Sequence, residues 1–125
     1  MRTVAAIVVG YLIFALSAAA LFKLTNQPPH ENAPTTFIIL ATLYGMCFAA
    51  LGGYVAQVVA RSRSATPAVA LCALIAIGAS VSLVMTWRLA AHWSQWTALC
   101  LMAPSALAGG AIRRRALVRT VIRNT

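Results

Sequence analysis

Residues 3–22 read TVAAIVVGYLIFALSAAALF, an apolar run with Arg2 before it, Lys23 after it and no charged side chain inside it. An α-helix rises ~1.5 Å per residue, so such a run reaches roughly 30 Å, the thickness of the hydrocarbon core of a bilayer. Three more uncharged runs follow, at residues 32–60, 64–87 and 89–112. The charged side chains, namely Arg2, Lys23, Glu31, Arg61, Arg63, Arg88, Arg113, Arg114, Arg115, Arg119 and Arg123, all fall between or outside these runs. Apolar runs of ~18 or more residues read as membrane-spanning helices. The pattern predicts an all-α integral membrane four-helix bundle, antiparallel, forming a single transmembrane domain over residues 1–125. The expected helices cover about residues 4–24, 36–60, 68–87 and 93–112, followed by a basic cytoplasmic tail at 113–125.

Composition agrees with a lipid environment. The chain is 62% hydrophobic and 9% charged, against roughly 25% charged in a soluble domain. No soluble domain is expected after the last helix. Net charge is +9, which in a soluble protein would suggest nucleic acid. Here the bases sit at helix ends, where membrane topology explains them, so no nucleic-acid partner is expected. Cys47, Cys72 and Cys100 all lie inside predicted spans and read as small apolar packing residues, with no zinc spacing. Residues 3–22 are longer than the ~7–15 residues of a signal-peptide core, so an uncleaved helix is expected despite Ala18, Ala19 and Ala20.

The direction of insertion follows from counting lysine and arginine. One side holds Arg2, Arg61, Arg63, Arg113, Arg114, Arg115, Arg119 and Arg123; the other holds Lys23 and Arg88. The basic side faces the cytoplasm. Both termini are therefore expected inside, in a multi-pass protein of the cell (cytoplasmic, inner) membrane. The outer turn carries Trp87, Trp93 and Trp96, expected as interface anchors. Their rival role is an aromatic platform for a ligand.

Punctuation marks the helix ends. Pro28, Pro29 and Pro34 break the chain after the first run, with Asn32 as a cap for the second helix and Pro34 in its first turn. Thr66 followed by Pro67 reads as the cap and first position of the third. Pro104 is expected to kink the fourth.

Lipid is as apolar as leucine, so helices associate in it by close approach of small residues. Gly45, Ala49 and Gly53 recur every four residues, as do Ser105 with Gly109 and Ala106 with Gly110. Gly10, Ser17, Ala18, Ala76 and Ser80 offer further small positions. A faint echo between residues 51–53 (LGG) and 108–110 (AGG) fits a parallel repeat of two hairpins.

The candidate chemistry is sparse. No ionisable group lies mid-span, which argues against a proton relay. No nucleophile–base pair or phosphate-binding glycine loop can be read. No catalytic residue, cofactor or metal is expected. His30, Glu31 and His92 would hold a metal only by converging across two loops, and solvated loops are the simpler reading. Thr42, Gln57, Ser80, Ser82, Thr86, Thr97 and Ser105 either bond back to their own helices or line a narrow polar path. Gln57, near a helix end, is expected to reach the headgroups. The tail with Arg113, Arg114, Arg115, Arg119 and Arg123 suits anionic headgroups, an acidic partner subunit, or a stop-transfer anchor. The expected function is that of a non-catalytic accessory, assembly or stabilising subunit, not an enzyme, packed against other membrane subunits or itself. The alternative is an oligomeric small-molecule or ion transporter or channel.

Overall fold

The computed structural model describes residues 1–27, 32–88 and 91–125. Among the described residues every regular element is helical. Helices α1 (Arg2–Thr25), α2 (Thr35–Ala60) and α3 (Thr66–Met85) are each long and apolar enough to cross a membrane. A short α4 (Trp93–Thr97) leads through a π turn (Ala98–Met102) into α5 (Ala103–Arg123).

The last rod departs from the expected single helix at 93–112. It is divided by the π turn, and its second part runs on through the arginines to Arg123. Pro104 is the physical reason for the division. Proline has no N–H, and its ring collides with the carbonyl four residues back. The wide turn comes just ahead of it: Ala103 N–H donates to the Ala98 carbonyl, five residues back. Ser105 Oγ donates to the Leu101 carbonyl at 2.7 Å, the back-bond a serine makes to its own helix.

Two caps also differ from expectation. Pro34, rather than Asn32, takes the N-cap position of α2, and the Asn32 carbonyl accepts from Gln27 Nε2 at 3.3 Å. Ala65 is the N-cap of α3. The Ser64 hydroxyl receives the Thr66 N–H at 3.2 Å, the task expected of Thr66. At their C-termini α1 and α2 stop at Asn26 and Arg61, both left-handed with φ 52°.

The interior is built from small residues. Ala6, Ala49, Ala56, Ala68, Ala103 and Ala106 are buried, joined by Leu71, Ile75 and Met102. Long apolar side chains point outward instead: Val8, Leu12 and Leu16 on α1, Ile39 and Leu43 on α2, Ile77 and Val84 on α3. Water-soluble domains bury these residue types.

The small interior lets backbones meet. A Cβ added to Gly10 would lie 2.8 Å from the Gly52 carbonyl oxygen, and one on Gly52 would lie 2.6 Å from that of Gly10. The contact between α2 and α5 is closer still. A Cβ on Gly53 would strike the Ala106 carbonyl, and one on Gly109 would strike the Ala50 carbonyl. Gly110 lies against Ala68 Cβ, which seats α5 on the start of α3.

Candidate functional site

Near the α2–α5 contact α1 and α3 also meet, Gly10 lying against the Leu71 side chain, but toward the other end of the bundle α1 and α3 part. Between them, bounded also by α2 and α4, lies a cavity of about 230 Å³. Large rings prop it open. Tyr11, Phe14 and Phe22 face it from α1, Tyr44 from α2 and Trp93 from α4. Tyr44 is fixed by its hydroxyl, which donates to the Ser17 carbonyl at 3.0 Å. Trp93 meets Phe22 edge-on at 6.0 Å and Phe37 at 5.9 Å, so it ties the start of α4 to α1 and α2.

The polar end of the cavity is Gln95, 4% exposed. Its Nε2 donates to Thr86 Oγ1 at 3.1 Å and to Ser82 Oγ at 3.3 Å. Ser94 Oγ donates to its Oε1 at 3.0 Å. Thr86 Oγ1 in turn donates to the Ser82 carbonyl at 2.6 Å. Buried amides in hydrocarbon need such partners. Among the described residues the lining carries no acidic or basic side chain. The chamber suits an uncharged, largely apolar guest.

The polar residues considered as a path have other employment. Thr42 Oγ1 donates to the Ile38 carbonyl, Ser80 Oγ to Ala76, and Thr97 Oγ1 to Ser94. Ser82 is the one of that group on the cavity wall. Gln57 does not reach outward as expected. It is completely buried, and its Nε2 donates to the carbonyls of Ser62 at 2.9 Å and Ser64 at 2.6 Å. That amide holds the turn between α2 and α3, a role that outcompetes headgroup contact because both carbonyls lie within a few residues. Cys47 and Cys100 are exposed on the outside of the helices, not in their packing as expected, and Cys72 is half-buried.

The small residues divide among several neighbours. Gly45 abuts the Met102 side chain, Gly53 abuts Ala106, and Ala49 is fully buried. Ser105 is spent on Leu101, Gly109 meets Ala50, and Gly110 meets Ala68. The tryptophans also differ among themselves. Trp87 and Trp96 are exposed, whereas Trp93 turns inward. Trp87 stacks on His92 at 5.4 Å, and the His92 Nε2 lies 3.1 Å from the Trp87 carbonyl. His30 and Glu31 lie outside the described residues, and among those described no three metal-ligating side chains gather.

At the other end, Arg113 stands 5.9 Å over the Tyr54 ring. Arg114, Arg115 and Arg119 join Arg63 around a groove of about 770 Å³, together with Leu117, Val118, Val121 and Ile122. Arg123 closes the last turn of α5, where a cation complements the helix dipole. Gln95 and Tyr44 were not readable as site residues, because neither charge nor spacing marks them. Arg63 was readable only as a topology signal, since nothing local links it to the tail.

The chain matches no protein-family model, no curated protein and no solved structure.

Proposed function

We propose that the protein is a non-catalytic, multi-pass subunit of the cell membrane that packs against other membrane proteins or against itself. The observation that carries this reading is the inverted distribution of side-chain size, alanine and glycine inside and valine, leucine and isoleucine outside. Lipid or a neighbouring protein must cover that outer surface. So thin a bundle keeps few residues for an interior site and gives most of each helix to contact.

The reading includes a single domain, an antiparallel bundle with residues 93–123 as its fourth member, and both ends on the cytoplasmic side. Support comes from the pairings. Gly10 with Gly52 and Ser17 with Tyr44 run in opposite senses along α1 and α2. Ala68 with Gly110 and Ser82 with Gln95 do so for α3 and the last rod. Such a bundle gathers Arg2, Arg61, Arg63 and the arginines of α5 at one end, the arrangement that favours an inward-facing basic side. Anionic headgroups at that surface would hold the bases nearest the hydrocarbon, Arg2, Arg61 and Arg113, at about 1 kcal/mol per base. Trp87 and Trp96 would anchor the opposite interface.

Purification in a gentle detergent with identification of co-purifying chains tests the subunit reading. Stoichiometric partners, or a defined homo-oligomer, are the expected result. Recovery as a lone monomer would count decisively against it.

A second reading has its own observation, the cavity with its Gln95 amide. A small-molecule transporter or channel would use that chamber as its binding point. Uptake of uncharged solutes into proteoliposomes, abolished by Gln95→Leu, would favour it. Against it stand the hydroxyls of Thr42, Ser80 and Thr97, bonded to their own helices.

A further inference from the structure

The arginine end holds a surface that the bundle itself does not use. Gly110 sits at the level of Ala68 and Gln57. From there α5 runs on to Arg123, roughly 20 Å at ~1.5 Å per residue. Over the same stretch α2 has only the residues from Gln57 to Ala60, and α3 begins at Thr66. The last turns of α5 therefore pass beyond their neighbours.

Those turns are amphipathic. Arg114, Leu117, Val118 and Val121 follow the spacing of one helix face, with Arg115 and Arg119 one turn apart beside it. Val118 is 57% exposed and Ile122 68%. Arg63, from the connection between α2 and α3, completes the groove. Among the described residues there is no acidic side chain to neutralise it, and Glu31 is the single acid in the whole chain.

Three occupants have the right gross chemistry, and the order of residues along the groove selects one. Arg63, Arg114 and Arg115 lie nearest the bundle, while Val121 and Ile122 lie farthest from it. A phospholipid gripped by those guanidiniums would send its chains back toward the bundle, away from Val121 and Ile122. The headgroup layer is also only about 5–7 Å thick on each side, less than the length of the projecting helix. A second copy would bring the same arginines face to face, and like charges so placed cost several kcal/mol. A helix lying alongside α5 can meet both the arginines and the apolar stripe at once.

We propose that this groove is a docking surface for an acidic amphipathic helix of a partner protein. Its carboxylates pair with Arg63, Arg115 and Arg119, and its apolar face covers Val118, Val121 and Ile122. Guanidinium–carboxylate pairs are often bidentate, which fixes the register of the two helices. The proposal rests on the membrane-subunit reading, which puts the groove outside the bilayer.

The test uses the full chain in its native membrane, with a photoreactive residue at position 118 or 121 and a control at Ile39, which is exposed on α2. Cross-links from 118 and 121 are expected to fall on one segment of one other protein, with Asp or Glu repeating every three or four residues. R115E/R119E is expected to lower that yield by at least about tenfold, the effect of roughly 1.4 kcal/mol. R115Q/R119Q should lower it less, and both variants should keep the wild-type melting temperature in detergent. Cross-links to lipid, to a second copy or to a segment without acids would overturn the proposal, as would no cross-link or an unaffected R115E/R119E variant. An undiminished cross-link from 118 or 121 in R115E/R119E, with partners still co-purifying, would sink the docking surface and leave the subunit reading standing. A wild-type protein that purifies alone would sink the subunit reading itself.

Discussion

The α2–α5 contact and the α1–α3 gap are two answers to the same question, how far apart helices in lipid should stand. At the first, Gly53 and Gly109 remove every side-chain atom between two backbones, and each backbone takes the space of the missing Cβ of the other. At the second, Tyr11, Phe14 and Trp93 hold the helices off and leave about 230 Å³ between them. Gly78 lies on the open side, where an added Cβ would meet only the Tyr11 hydroxyl, at 3.6 Å. Glycine is thus a demand at one place and a tolerance at the other. Glycine content alone does not identify a seam; what opposes the glycine does.

Substitution at the tight contact should have the largest effect. Gly109→Leu forces α2 and α5 apart, and overpacking of this kind costs about 3 kcal/mol or more. Its melting temperature in detergent should fall far below that of the wild type, with aggregation on extraction. A wild-type melting curve would mean that the two backbones do not meet as described. Next in size is Gln57→Leu, which strips two hydrogen bonds from the carbonyls of Ser62 and Ser64. Two part-buried hydrogen bonds at about 0.5–1.5 kcal/mol each put the loss at roughly 1–3 kcal/mol, readable by the same melting experiment. Gln95→Leu should follow at about 0.6–1.7 kcal/mol, the range for hydrogen bonds between membrane helices. It sharpens the contrast, because its effect should grow if a guest in the cavity uses the amide. The smallest effects belong to the open side. Gly78→Ala should change stability by less than about 0.5 kcal/mol, and a large loss there would erase the distinction between the two regions.

Three of the long apolar runs were legible as membrane-length helices because hydropathy accumulates along a chain without reference to its neighbours. Residues 3–22, 32–60 and 64–87 each lie largely within α1, α2 or α3. The fourth run, 89–112, was harder. It has no charge, yet Pro104 imposes a π turn, and the helix ignores the onset of arginines at Arg113. Periodicity does not see a local widening that keeps the rod continuous. The fates of Gln57 and Gln95 were also illegible. Each is a polar residue near a predicted span end, where contact with water or headgroups is the usual outcome. Burial was decided by carbonyls and hydroxyls that arrive only when the chain turns back. Likewise Trp93 reads like Trp87 and Trp96, and only the presence of Phe22 and Phe37 sets it apart.

The Gln57 amide also bears on how such a chain leaves the ribosome and enters the bilayer. Its acceptors are five and seven residues downstream, so the nascent segment can satisfy that amide's N–H groups before any later helix has been synthesised. The α2–turn–α3 unit can then partition into the membrane as one piece, with less of its polar character exposed to oil on the way.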